Sequence, residues 1–151
     1  TPEIELRTLE TNGTGFVRMV TAAFRYFAQQ KGGNLAVISS IAGTKGLGAA
    51  PAYSATKRFQ NTYIDALEQL AHIQKLPIRF TDIRPGFVAT GLLNDGKHYP
   101  MLMHTEKVAR HIVRALEKKK RIVVIDWRYR ILVALWRLIP PFLWKRLPVR
   151  N

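Results

Sequence analysis

Residues 35–57 read Leu-Ala-Val-Ile-Ser-Ser-Ile-Ala-Gly-Thr-Lys-Gly-Leu-Gly-Ala-Ala-Pro-Ala-Tyr-Ser-Ala-Thr-Lys. The apolar run at residues 35–38 suits a parallel strand buried on both faces. A serine pair ends it, a Gly-rich loop follows, and a long helical stretch opens near Ala52. Tyr53 and Lys57 lie four apart and share one helix face. A phenol ionises near pH about 10, too high for neutral acid/base work. A fixed ammonium nearby favours the phenolate and can lower that value by about 1–3 units. Ser40, thirteen positions before Tyr53, can hold a carbonyl or alcohol oxygen. Such a trio moves a proton on and off an oxygen while a cofactor moves a hydride.

Working outward, Phe16, Met19, Val20, Ala23, Phe24 and Phe27 recur as one apolar helix face, and Gly32-Gly33 ends that helix. The helix over about 52–73 shows a buried face of Phe59, Tyr63, Ile64, Leu67, Leu70 and Ala71. A strand at 78–83 closes at Pro85-Gly86. Residues 87–104 form a loop with Asn94-Asp95-Gly96 as its turn signal. Thr105 caps a helix to about 118, with Val108, Ile112, Ala115 and Leu116 inward, and a third strand spans 122–125. Alternating helix and strand predict an α/β fold, the C-terminal part of a doubly wound, Rossmann-like parallel sheet, followed by a basic, aromatic helical tail. The expected division is a catalytic part at 1–126 and a basic amphipathic C-terminal extension at 127–151.

Composition narrows the class. The 151 residues fit one domain, and an apolar share of 47% is that of a globular chain. Cysteine is absent, which excludes disulfides and thiolate metal sites. The longest apolar run near the end, residues 131–136, is far short of the about 20 residues a spanning helix needs. With no leader at the start, a cytoplasmic protein is expected. Net charge is +14, unevenly spread: residues 118–151 hold ten Lys/Arg against one Asp. Such a tail suits anionic lipid, nucleic acid or an acidic partner.

Four blocks in order carry a resemblance: Asn12 in Thr-Asn-Gly-Thr-Gly, Ser40 in Val-Ile-Ser-Ser-Ile-Ala-Gly, Tyr53 and Lys57 in Tyr-Ser-Ala-Thr-Lys, and Pro85-Gly86 in Ile-Arg-Pro-Gly-Phe-Val-Ala-Thr. Together they resemble the short-chain dehydrogenase/reductase family over about residues 3–126. The resemblance implies a carbonyl/alcohol oxidoreductase using NADP or NAD, NADP the more favoured. The small-molecule substrate would be apolar if the loop's Met and Leu residues face it. A homo-oligomer is also implied. It assigns Tyr53 as general acid/base, and Lys57 as its modulator and ribose ligand. Ser40 becomes the substrate-oxygen ligand and Asn12 the positioner of a relay water. Pro85, Gly86, Val88 and Thr90 form the loop under the nicotinamide, with Tyr53 and Lys57 also at the cofactor. The family's N-terminal strand and Gly-rich pyrophosphate turn have no counterpart here, so the chain reads as the back part of a member. Gly43, Gly46 and Gly48 have the wrong spacing for a dinucleotide fingerprint and read as a flexible loop beside the site.

Each residue also has a plainer role. Tyr53 can be a packing residue at a helix start, Lys57 a solvated lysine, and Asn12 a helix N-cap. Ser39 competes with Ser40; alternation lets only one face the site, and loop capping suits Ser39 better. Pro85-Gly86 can be an ordinary turn. In residues 91–104, Met101, Leu102 and Met103 either meet an apolar substrate or anchor the loop. His98 and His104 lack a third ligand at metal spacing, so no metal is expected. In the tail, Trp127, Ile131, Leu135 and Leu138 fall on one helical side with Arg130 and Arg137 opposite. Residues 127–147 thus suit peripheral membrane contact or packing on a subunit; no nucleic-acid motif occurs. The alternative function is a catalytically silent dimerisation, interaction or membrane-surface module.

Overall fold

A computed structural model describes residues 1–93, 96 and 98–149, the side chain of Leu92 apart. The turn expected at Asn94-Asp95 falls outside the described residues. Three parallel strands, β1 (Gly33–Ile38), β2 (Ile78–Pro85) and β3 (Ile122–Ile125), lie in the order β1-β2-β3. Six α-helices surround or extend them: α1 (Pro2–Leu9), α2 (Phe16–Gln29), α3 (Pro51–Ile73), α4 (Thr105–Glu117), α5 (Trp127–Leu138) and α6 (Pro141–Trp144). The α/β reading holds.

Side-chain alternation along β1 and β2 sorts the helices between two faces. Leu35, Val37, Ile78 and Phe80 meet Val20 and Phe24 of α2 and Ile64 and Ala71 of α3. Ile83 and Ile125 meet Val108 of α4 and Tyr129 and Val133 of α5. β1 is not buried on both sides as its apolar run predicts. Ala36 and Ile38 are exposed, because none of the described helices covers that face of β1.

Two helix faces differ from the periodicity. Met19, at the margin of the α2 stripe, is 77% exposed. In α3, Phe59 and Leu70 are exposed, whereas Ser54, Thr56, Gln60 and Asn61 are buried with Ile64 and Ala71. Hydrophobic periodicity misplaces this face because polar partners, not apolar surface, set its rotation. At α4 the capping position is His104 rather than Thr105, which is already helical. The start of α3 lacks a side-chain cap of its own; Glu5 of α1 accepts the Ala52 N–H at 2.7 Å instead, an anion at a helix N-terminus.

Candidate active site

Ser40 sits where β1 gives way to a 3₁₀ turn (Ile41–Thr44), and its Oγ accepts the Ala42 N–H at 3.1 Å. The capping role expected of Ser39 therefore belongs to Ser40. The same hydroxyl lies close enough to the Tyr53 phenol to favour its ionised form. Lys57, one turn along α3, places its Nζ 5.6 Å from the centre of the Tyr53 ring and donates to the Ile38 carbonyl at 3.3 Å. Ser40, Tyr53 and Lys57 thus converge at the C-terminal end of β1.

The electrostatics run opposite to the expectation for the phenol. Burial pushes the Tyr53 pKa above its ordinary 10.0, and the nearby Ser40 hydroxyl only partly offsets this. Burial also lowers Lys57, which Asp82 counters by raising it. Desolvation penalises whichever form carries charge, so it moves acid and base in opposite directions.

Asn12 is not an N-cap. It lies within a π-helical turn (Glu10–Gly15) joining α1 to α2, a local widening that frees backbone groups. Its Nδ2 donates to Thr56 Oγ1 at 3.3 Å, beside Lys57, and its carbonyl accepts from Gln60 Nε2 at 2.9 Å. Gln60 Oε1 is buried without a partner among the described residues.

Ser39 points into a buried network that sequence reading missed. Its Oγ donates to Asp82 Oδ1 at 2.5 Å. Asn61 Nδ2 donates at 2.9 Å to both Ser39 Oγ and Asp82 Oδ2. Arg84 reaches Asp82 Oδ2 through Nε at 2.8 Å and Nη2 at 2.6 Å. Asp82 is 0% exposed. A buried carboxylate survives only when paired and hydrogen-bonded, and this one is both. The network ties the residue before Ser40, the helix turn after Lys57 and the strand entering Pro85-Gly86. Gly43 lets the loop approach this close: a Cβ there would lie 2.6 Å from Asn61 Oδ1. The signal available in sequence was faint, a Ser, an Asn, an Asp and an Arg in otherwise apolar surroundings.

The Pro85-Gly86 loop rests on the tail. A Cβ on Gly86 would fall 2.2 Å from the Tyr129 ring. The Tyr129 hydroxyl accepts the Phe87 N–H at 3.1 Å and donates to the Pro100 carbonyl at 2.9 Å. Val88 pairs with Met103 through the Phe87 carbonyl and the Ala89 N–H, so its own N–H and C=O lie outside that pairing. Thr90 is exposed. Beyond it, Met103 is buried in the core and Tyr99 packs on Phe87 at 4.9 Å, while Leu102 remains exposed. The methionines anchor the loop, which removes the observation that pointed to an apolar substrate.

The tail helix carries apolar side chains on two sides. Tyr129, Leu132 and Val133 pack into the core. Trp136 packs edge-on against Trp144, whose Nε1 donates to the Gly46 carbonyl at 2.7 Å. Lys45 Nζ donates to the Ile139 carbonyl at 2.8 Å. The loop after Ser40 is therefore stitched to the tail, and a cavity of about 800 Å³ lies between them, lined by Lys45, Gly46, Gly48, Trp144 and Leu147 among others. Arg130 and Arg137 flank the exposed stripe rather than lying opposite it.

The residues brought together here fit a nicotinamide nucleotide. Among the described residues the Lys57 ammonium makes one hydrogen bond, leaving N–H groups for ribose hydroxyls. Val88 presents a main-chain donor and acceptor suited to a carboxamide. No group of three or more His, Cys, Asp or Glu able to hold a metal occurs among the described residues.

The profile of the short chain dehydrogenase family matches residues 3–99. Dehydrogenase/reductase SDR family member 7B of Bos taurus is 32% identical over 97% of this chain and 48% of its own length. An oxidoreductase of Myxococcus xanthus is 28% identical over 87% of this chain and 52% of its own. Among solved structures, a short chain dehydrogenase of Burkholderia cenocepacia in complex with NADP superposes with a TM-score of 0.83 at 18% identity, covering 99% of this chain and 61% of that one. A short-chain dehydrogenase of Sphingobium yanoikuyae in complex with NADPH gives 0.74 at 18% identity, covering 100% and 59%. The chain spans about half the length of these curated relatives.

Proposed function

Since this chain belongs to the short chain dehydrogenase family, we propose that it supplies the catalytic half of an NAD(P)-dependent oxidoreductase interconverting a carbonyl and an alcohol. The observation that carries the reading is the convergence of Ser40, Tyr53 and Lys57. The dinucleotide, when bound, supplies or accepts the hydride. In reduction, the Ser40 hydroxyl orients the substrate oxygen and Tyr53 gives its proton to that oxygen. Raised above its ordinary value, the Tyr53 phenol is protonated at neutral pH, the form an acid needs. Lys57 holds positive charge beside the ring and would hold the ribose. Asn12 and the free Gln60 Oε1 would seat a water through which the proton is replaced. Val88 and Thr90 would meet the nicotinamide. That two structural relatives are described with NADP or NADPH supports the phosphorylated cofactor.

A homo-oligomeric assembly and a cytoplasmic location accompany this reading as proposals, the first supported by family habit. One observation favours the silent-module alternative for these residues alone: the strand-to-helix turn from β1 to α3 has the glycine spacing Gly43, Gly46, Gly48 rather than that of a phosphate cradle.

The test is Tyr53→Phe in the complete protein, assayed by nicotinamide absorbance with a panel of ketones and aldehydes. Turnover should fall at least about 100-fold while circular dichroism stays unchanged. Undiminished turnover by the phenylalanine variant would sink the assignment.

A further inference from the structure

Helix α5 presents an exposed apolar stripe that the catalytic reading does not use. Trp127, Ile131, Leu135 and Leu138 recur at helical spacing on one side, and Trp127 is 64% and Leu138 78% exposed. Phe142, in α6, is exposed as well. The opposite side of the helix is already spent on the core through Tyr129 and Val133. The stripe is therefore not an unpacked core face, and rotating the helix to bury it would expose Tyr129. Ordinary surfaces seldom leave such a contiguous patch bare.

The charges around it select the occupant. Arg130 and Arg137 are exposed along one margin, and Lys145 and Arg146 follow α6. Residues 127–149 contain no Asp or Glu. Arg128 is turned to Asp126, its Nη2 3.0 Å from Oδ2, so the uncompensated charge lies on the other margin. A second copy of this face would offer these arginines no acidic partner, since residues 127–149 hold none. A continuation of the sheet would meet the free edge of β1, on the far side of β2 from β3 and α5. A layer of negative charge above an apolar medium matches both features at once. With 12 residues, α5 is too short to cross a bilayer, and no helix among the described residues is long and apolar enough to do so.

We propose that α5 and α6 lie in the plane of an anionic phospholipid membrane. In this arrangement Trp127, Ile131, Leu135, Leu138 and Phe142 enter the acyl boundary, while Arg130, Arg137, Lys145 and Arg146 sit among the headgroup phosphates. The long aliphatic stems of the cations allow this, since the charged head stays wet while the stem lies along apolar surface.

The experiment is flotation of the purified full-length protein with phosphatidylcholine vesicles, with and without phosphatidylserine, alongside Leu135→Glu/Leu138→Glu and Arg130→Gln/Arg137→Gln variants. Both pairs are exposed, and circular dichroism confirms that the variants fold. Wild type should float only with phosphatidylserine vesicles, release as salt rises, and shift its Trp fluorescence to the blue on binding. The double glutamate variant should not float. Each arginine removed should lower partition by about fivefold. Equal flotation of the glutamate variant, or none by wild type, overturns the proposal. So does a wild-type dimer that the glutamate variant splits into monomers, which would make a second copy the occupant; stripe-dependent binding of an acidic protein without lipid binding overturns it equally.

Discussion

Ser39 and Ser40 are chemically identical neighbours with opposite surroundings, so their alanine variants should separate stability from chemistry. Ser39 Oγ is buried between Asp82 and Asn61, and losing it leaves a charged acceptor short of a donor. Ser39→Ala should lower unfolding free energy by about 1–3 kcal/mol in a denaturant titration, with turnover largely kept. Ser40→Ala should change stability by less but cut turnover by about 100-fold or more. It should also remove the hydroxyl whose influence holds down the Tyr53 pKa. Alcohol oxidation, which needs the phenolate, would then rise with pH only at more alkaline values than in wild type. A profile that moves toward neutrality in Ser40→Ala would contradict the geometry. The candidate residues Ser40, Tyr53 and Lys57 were legible in sequence through the order and spacing of the motifs that hold them, and they lie near one another in the fold. The network around Asp82 was not: the strand pairing of Val37 with Asp82 and the rotation of α3 that brings Asn61 inward exist only after folding. The direction of the Tyr53 shift was misread for a related reason. A sequence shows the neighbouring cation but not the water removed from the ring.

At the scale of elements, strands were easiest to read and helix faces hardest. The third strand is delimited by charge on both sides, Arg121 and Asp126, and it occupies the residues its pattern predicts. Helix α5 was read by its more regular stripe, which proved to be the exposed one. The buried side, Tyr129, Leu132 and Val133, is shorter and includes a polar ring. The start of α5 gives a pH prediction. Asp126 caps the helix by accepting the Arg128 N–H at 3.1 Å, and it takes Lys107 Nζ at 3.0 Å. Burial alone would raise its pKa. The Arg128 and Lys107 hydrogen bonds outweigh that and hold it well below the ordinary 3.8. A depressed carboxylate stabilises the fold above its ordinary pKa, and this contribution is lost as pH falls below about 4 toward the folded-state value. Asp126→Asn keeps the cap but loses the charge. It should cost about 1–2 kcal/mol at neutral pH, less than a fully buried pair because Lys107 and Arg128 are partly exposed. The gap to wild type should close in acid. Thermal melts of both proteins from neutral pH downward would show it; a gap that stays constant with pH would mean the ion pairs contribute nothing.

At the scale of the molecule, the sheet is asymmetric. Beside β3, α5 packs on the sheet through Tyr129 and Val133, and Tyr129 also supports the Pro85-Gly86 loop, whereas on the same side of β1 no described helix covers Ala36 and Ile38, and the outer edge of β1 pairs with none of the described strands. The exposed face of β1 adds to this, with Ile38 57% accessible beside the residues that carry Ser40. An open, partly apolar edge recruits further strands, and the end of β1 that leads to Ser40 is held by a strand on one side only. Residues 1–151 expressed by themselves should therefore self-associate as concentration rises and should show no measurable dinucleotide binding. Within each molecule, protection should follow position in the sheet. Amides of β2, bonded on both sides, should exchange slowest, and those of β1 should exchange faster than β2 although both strands are six residues or longer. If a longer form of the protein pairs a further strand on that edge, the β1 amides should slow to match β2, because a partner there removes the local opening route. Hydrogen exchange read by mass spectrometry on both forms decides the point. If β1 is as protected as β2 in residues 1–151 alone, at concentrations where light scattering shows monomers, the edge is not the weak side of this fold and the site at its end needs no neighbour to hold its shape.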